Sequence, residues 1–439
     1  MKFYVIGISD NPQPFFPPEV LEVIKNGKVF SGGKRHHEIV APFLPDGAEW
    51  IDITVPLDAV FEQYKERELR GQLGMRNEEC GMDTPSTAEH SIPNSSFLIP
   101  HSIIVFASGD PLFFGFANTI QRKMPDADIV VYPTFNSLQM LAHKLVMPYH
   151  DMRIVSLTGR PWDEFDRALI EGTTKLGVLT DKEHTPAAIA QRMLAYGYND
   201  YQMSIGEHLG NPSLERVTTL PLDIVTQQEF AHPNCLIITG NHQRRWGIPD
   251  EEFALLDGRE KMITKMPIRL LTLQALDLPH RHTFWDIGFC TGSVSIEARL
   301  QFPHLHIEAF EIRPEGEKLM DMNSKRFGAP GINVHIGDFL TTDLSTLPHP
   351  DAVFIGGHGG HLKDIIAKVL TVLSPNGIIV FNSVTSPVVD QMTDRPNSRQ
   401  LWDEACQSLG LQPSASLRVQ IERYNPIEIL TAQPTFPKS

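Results

Sequence analysis

Cysteine is scarce in this chain: four in 439 residues, at Cys80, Cys235, Cys290 and Cys406. Their scatter fits neither a metal-ligand pattern nor a disulfide framework, which suits a reducing cytoplasm. Long apolar stretches are missing as well. No run reaches eighteen residues, so no transmembrane helix is expected. Met1 to Gly7 runs straight into a strand pattern, without a charged n-region, a long h-region or a cleavage site; no signal peptide is expected. Positive charge is also short, with 38 Lys and Arg against 53 Asp and Glu and a net charge of −15. That balance argues against sequence-independent nucleic-acid binding, and no basic-aromatic platform offsets it. An acidic substrate would need local positive charge.

At 439 residues the chain exceeds one ordinary core, so two or more domains are expected. Lys2 to Ile8 reads as a buried strand. Phe15 to Glu19 reads as a loop feeding a helix with Pro in its first turn. Val29 to Glu38 gives a short strand, a glycine pair, then Lys34, Arg35, His36 and His37 opening a helix. Those four are either a solvated basic face or an anion clamp at a helix start. From about Lys65 to Pro100 the periodicity dissolves, which predicts an insertion over roughly 66–98. Ser102 to Gly115 restores order: a buried strand ending in Gly109-Asp110-Pro111, then a helix from near Leu112. Further strands follow at Ile129, Arg153, Lys175, Ser204, Glu215 and Cys235. Alternation up to about Val155 predicts an α/β domain, and the later run of strands a second lobe. Gly240 to Arg259 is polar and broken by glycine and proline, and the domain boundary is placed there.

In the second half, Phe284 to Asp286 ends an apolar strand. Gly288, Phe289, Cys290, Thr291 and Gly292 form a tight glycine turn, and a helix follows from Ser293. Such a turn brings backbone N–H groups and a helix start to a nucleotide-like ligand. About twenty-five residues after Asp286 a second strand ends in Glu311, an acid placed to accept hydrogen bonds from a ribose. The pair alone fits a dinucleotide fold or an S-adenosylmethionine (SAM) methyltransferase. Three more strand–helix units follow, through Gly337-Asp338-Phe339, Phe354 to Gly360 and Gly377 to Ser383. The closing strands at Leu417 and Ile427 pair as neighbours. This layout favours the methyltransferase.

Residues 1–240 resemble the tetrapyrrole (corrin/porphyrin) methylases through Ser31 to His37, Ala107 to Phe113 and Thr158-Gly159-Arg160. Residues 262–435 resemble class I SAM methyltransferases of the precorrin C15-methylating, decarboxylating kind, through Thr264-Lys265, Asp286 to Glu297 and Phe354 to Gly357, in a second domain placed at 262–439. The two in this order resemble the fused C5,15-methyltransferases of cobalamin biosynthesis. The implied fold class is α/β: an N-terminal two-lobed tetrapyrrole methylase fold and a C-terminal Rossmann-like sheet, joined by a linker at 241–261.

The resemblance implies SAM as cofactor and a polycarboxylate tetrapyrrole as substrate, with no nucleic acid and no membrane. A homo-oligomer in the cytoplasm completes the expectation. Implied cofactor residues are Gly7, Gly109, Asp110, Pro111, Leu112, Asn136 and Ser137 in the first half. In the second half they are Thr264, Asp286, Gly288 to Gly292, Glu311, Asp338 and Phe339. Asp110, Asn136 and Ser137 also read as helix-capping residues. Implied substrate anchors are Lys34, Arg35, His36 and Arg160, then Lys265, Gly356, Gly357 and His358, with His37 and Arg313 as further cations. Each could equally be an ordinary surface residue. His358 and His361 lack further ligands for a metal, and none is expected. No catalytic acid or base is singled out, because the macrocycle supplies its own electron-rich carbon.

Three positions depart from the family pattern. The first loop, Gly7 to Asn11, lacks its glycine-rich continuation, and Thr158 replaces the usual histidine. Cys290 stands where a glycine is usual. The loop is expected to retreat from the cofactor there, with a negative φ at which glycine would slightly lower stability; a positive φ would instead let glycine relieve strain.

Overall fold

The computed structural model describes residues 1–78, 102–259, 262–384, 397–414, 416–421 and 426–434. Three sheets follow one another along the chain. The first contains β1 (Lys2–Ile8), β2 (Val29–Gly32), β3 (Glu49–Asp52), β4 (Ser102–Ser108) and β5 (Asp128–Tyr132), in the order β3-β2-β4-β1-β5. All its pairings are parallel. Parallel strands need cover on both faces, and the sequence supplies it. Phe3 and Val5 face one core with Phe61 and Tyr64, while Tyr4 and Ile6 face another with Val20 and Phe30.

The second sheet contains β6 (Arg153–Ser156), β7 (Lys175–Leu179), β8 (Tyr201–Glu207), β9 (Arg216–Pro221) and β10 (Asn234–Gly240), in the order β6-β7-β10-β8-β9. Only β6 and β7 are parallel. The helix Ser137–Lys144 joins the two lobes, packing Leu138 and Leu141 against Cys235 and Ile237.

The third sheet contains β11 (Thr283–Ile287), β12 (His306–Glu311), β13 (Ile332–Ile336), β14 (Ala352–Ile355), β15 (Ile378–Val384), β16 (Leu411–Pro413), β17 (Leu417–Val419) and β18 (Ile427–Pro434). Its order is β13-β12-β11-β14-β15-β18-β16, with β17 on β18. The first five are parallel and the last three antiparallel. The order reverses between β11 and β14, and ligands in such sheets bind beyond the strand ends at that crevice. The α/β expectation therefore holds for both halves, including the second lobe and the closing antiparallel strands.

Three sequence expectations need correction. The helix Asp58–Glu78 runs on past Lys65, so the first part of the expected insertion is helical. The rest of that expectation, residues 79–98, lies outside the described residues. The helix expected from Leu112 begins at Phe116 instead, because Asp110 to Gly115 close into a turn. Residues 241–259 are not a loose connector. Gly247 and Ile248 donate their backbone N–H groups to the buried carboxylate of Glu297, at 2.8 and 3.2 Å. The buried guanidinium of Arg269 donates to the Ile248 carbonyl and pairs with Asp250 and Glu297, each at 3.3 Å. Ala254 exchanges backbone bonds with the Asn323 amide. Ile248 and Phe253 join a core with Phe289, Ile296 and Phe327 that also takes in Ile170 from the first half.

Candidate active sites

In the first half, the carboxyl ends of β1, β4 and β5 converge. A Cβ on Gly7 would lie 2.1 Å from the Gly109 carbonyl oxygen, and one on Gly109 would lie 3.0 Å from the Asn136 Cα. Only glycine permits these three loops to meet so closely. Beside them lies a cavity of about 140 Å³ between the lobes, lined among others by Asp10, Arg35, Ser108, Phe135, Ser137 and Cys235. Asn136 is a helix cap, accepting the Gln139 N–H at 2.9 Å in a reciprocal capping box. Asp110 caps no helix; its carboxylate accepts the Leu112 N–H at 2.9 Å and closes the turn. Burial pushes the Cys235 thiol up to about 12, so it serves as an inert apolar wall.

The four basic residues after Gly33 do not form one clamp. Lys34 is exposed, and His37 stacks flat on Trp50 at 4.1 Å. Burial, helped by neighbouring Arg35, pushes His36 down to about 4, so its ring is neutral near pH 7 and bonds Ser108 at 2.9 Å. Arg35 alone reaches the cavity. It bonds the same Ser108 hydroxyl at 2.9 Å and pairs with Asp10 at 3.1 Å. Asp10 in turn bonds His208, at the end of β8, at 2.8 Å, linking the lobes. Asp10 and His208 escaped the sequence reading. The only signal was the missing glycine in the first loop, which places an acid there. Arg160 is exposed in the loop after β6, its guanidinium 5.0 Å from the Phe114 ring.

In the second half, Gly288, Cys290 and Gly292 have φ of +78°, +53° and +76°. The loop winds left-handed at three of five residues, and Cys290 does so without being glycine. The expected negative φ at Cys290 is therefore overturned. A Cβ on Gly288 would lie 2.7 Å from the Gly357 nitrogen, so the loops after β11 and β14 are in close apposition. Glu311, 3 % exposed, accepts the Cys290 N–H at 2.9 Å, the Arg313 N–H at 3.0 Å and the Arg313 guanidinium at 2.9 Å. Arg313 is thus paired with Glu311 rather than standing free as a substrate anchor.

Asp286 lies beneath the loop, fully buried, and accepts the Ser295 hydroxyl at 2.6 Å. Burial pushes its carboxyl up to about 7. Its other oxygen and the Thr291 hydroxyl are buried without a hydrogen-bond partner. Two such orphans beside a glycine loop fit a polar ligand group that would satisfy them.

Two residues expected at the cofactor are placed otherwise. The rings of Phe289 and Phe339 are buried in separate cores, because each follows a strand end and turns inward. Only their backbones remain for a ligand. Asp338, two residues beyond β13, caps its own turn through the Leu340 N–H at 2.9 Å. Lys368 was missed altogether: its ammonium donates to the carbonyls of Phe339, Leu340 and Thr342 at 2.8, 2.8 and 2.6 Å, fixing that loop. Nothing in sequence links residues so far apart. Thr264 offers its carbonyl to Arg269 at 2.9 Å, and Lys265 lies 3.6 Å from Asp250. His358 accepts the Gly360 N–H at 3.2 Å, and burial lowers its pKa.

Comparison with known proteins covers both halves of the chain. Residues 2–225 match the model of the Tetrapyrrole (Corrin/Porphyrin) Methylases. The chain belongs to that family. Residues 257–397 match the Precorrin methyltransferase domain. A Sinorhizobium precorrin-6Y C(5,15)-methyltransferase (decarboxylating) is 28 % identical over 446 residues, spanning 99 % of this chain and 94 % of the relative. The Salmonella typhimurium cobalt-precorrin-6B C(15)-methyltransferase (decarboxylating) is 38 % identical over 135 residues, 31 % of this chain and 68 % of the relative. From the same organism, a cobalt-precorrin-7 C(5)-methyltransferase is 25 % identical over 221 residues, 50 % of this tetrapyrrole methylase and 91 % of the relative.

Proposed function

We propose that this chain is a SAM-dependent methyltransferase of cobalamin biosynthesis. It methylates precorrin-6B, or its cobalt form, at C5 and C15 and removes carbon dioxide from the C12 acetate. The observation that carries this is the pairing of two different glycine-lined sites in one chain, in an arrangement matched across 99 % of its length by a fused relative. The division of labour proposed is C5 methylation by residues 1–240 and C15 methylation with decarboxylation by residues 262–439. Scattered cysteines fit a cytoplasmic enzyme.

SAM would supply an electrophilic methyl group that an electron-rich ring carbon attacks in line, the methyl–sulfur bond breaking and S-adenosylhomocysteine leaving. The protein's own part is chiefly positioning. In the second half the backbone of 288–292 and the Glu311 carboxylate are proposed to hold the cofactor, with Asp286 and Thr291 satisfying polar groups from below. In the first half Gly7, Gly109 and the cavity beside Ser137 play that part. Arg35, Arg160 and the Gly356-Gly357 loop are proposed to orient the substrate's carboxylates. The decarboxylating half must also fix the acetate, and His358, neutral near pH 7, is proposed to contribute a hydrogen bond there. Incubation with labelled SAM and precorrin-6B tests the reading by mass. Two methyl groups gained and one carbon dioxide lost are expected; methylation without decarboxylation refutes it.

A further inference from the structure

The turn after β4 is held from several sides. The Asp110 carboxylate accepts the Leu112 N–H, and the Phe113 N–H donates to the Asp110 carbonyl at 3.0 Å. The Asn118 amide donates to the Leu112 carbonyl at 2.8 Å, and Ala117 donates to Pro111 at 3.1 Å. This network leaves Phe114 at φ +51°, a left-handed conformation that is unfavourable for a bulky L-residue. Phe113 packs toward the core under the lobe junction, but Phe114 remains 47 % exposed and Leu112 53 %. Phe114 thus keeps this conformation with its ring only half-buried, edge-on to Phe113 at 5.3 Å. A strained, half-exposed ring beside a candidate site is a ground for a functional hypothesis.

Phe114 also faces a charge from the other lobe. Arg160, after β6, places its guanidinium 5.0 Å from the Phe114 ring centroid. Phe135, 58 % exposed, lines the cavity in the loop after β5, two strands from β4 in the sheet. Exposed rings and a cation thus lie in the loops beyond the carboxyl ends of β4, β5 and β6. Their chemistry complements a flat apolar macrocycle with carboxylates on its rim.

We propose that Phe114 is a stacking platform for the tetrapyrrole in the C5-methylating half, with Arg160 pairing one of its rim carboxylates. This rests on the function proposed above. Phe114→Gly separates the two roles of the residue, because glycine relieves the positive φ while deleting the ring. In the full chain, with labelled SAM and precorrin-6B, C5 transfer is read as methylation without carbon dioxide loss and C15 transfer as methylation with it. Phe114→Gly is expected to raise the precorrin KM of C5 transfer tenfold or more. The SAM KM and the C15 reaction should stay unchanged, and thermal stability should not fall. Phe114→Trp should keep that KM within about threefold of the parent, since it restores an aromatic face. Arg160→Ala should raise it, and Arg160→Lys should restore part of the loss. A precorrin KM within twofold of the parent for Phe114→Gly, or a change confined to SAM, overturns the platform alone. Failure of the parent chain to methylate the precorrin overturns the proposed function and the platform with it.

Discussion

Cutting the chain at residue 262 should unfold what cutting it at residue 241 preserves. Ile248 and Phe253 are 1 % and 4 % exposed, packed against Ile296 and Phe327. Burial of side chains of this size contributes roughly 1.5–3 kcal/mol each. The N–H groups of Gly247 and Ile248 are the backbone donors to the buried Glu297. Hydrogen bonds to a charged group contribute about 1.5–3 kcal/mol each. The simple sum of these four contributions is roughly 6–12 kcal/mol; halving it, because compact unfolded chains already bury part of this surface, leaves at least about 3 kcal/mol. That is a large share of the roughly 5–15 kcal/mol that stabilises a domain. Both fragments lose the contact of Ile170 and the bond from the Tyr198 hydroxyl to the Gly328 carbonyl, so their comparison isolates the 241–261 strap. Urea unfolding followed by circular dichroism is the assay. Fragment 241–439 should unfold cooperatively, and 262–439 should show no transition or a midpoint lower by about 1–2 M or more, given a slope of about 1–3 kcal/mol/M. Midpoints within about 0.3 M of each other would refute the reasoning.

Cys290→Gly should raise stability, reversing the expectation drawn from sequence, because the residue sits at φ +53°. Relief of about 1–2 kcal/mol exceeds the added unfolded-chain freedom of about 0.4–1 kcal/mol, so a small rise in thermal midpoint is expected and a fall contradicts it. Glu311→Ala should weaken SAM at the carboxyl-half site by about two to four decades while sparing the other site, through loss of charge-assisted ribose bonds and the Cys290 tether. Two-site calorimetry showing both affinities intact would sink that assignment. Asp286 has a folded pKa raised to about 7, so the folded state holds a proton that the unfolded chain releases near pH 4. Its contribution to stability is complete below about pH 4 and is lost as pH rises towards 7. Asp286→Asn should flatten that decline in denaturation midpoints between pH 4 and 7, and an unchanged slope counts against the buried acid.

Composition and periodicity were enough to establish the strands, the two halves and the acid at Glu311. Apolar runs and glycine turns are local properties, and a parallel sheet has few other ways to bury such runs. The motif Asp286 to Gly292 likewise announced a tight glycine turn into a helix. Its side-chain directions were another matter. Phe289 and Phe339 stand beside the cofactor motif in sequence, yet their rings belong to cores assembled from distant strands. The four basic residues from Lys34 to His37 look alike in a string. Tertiary packing makes one exposed, one paired, one neutral and one a stacking partner, because burial and neighbouring charge decide each state. The linker was misjudged for the same reason. Polar composition at 241–261 says how the segment meets water, but Glu297 and Arg269 lie 28 positions apart and meet Gly247 and Ile248 only after folding. What the sequence alone determined was which segments must be buried and where the chain must turn. Which polar groups would satisfy one another inside was decided by the fold, since those partners are neighbours in space and not along the chain.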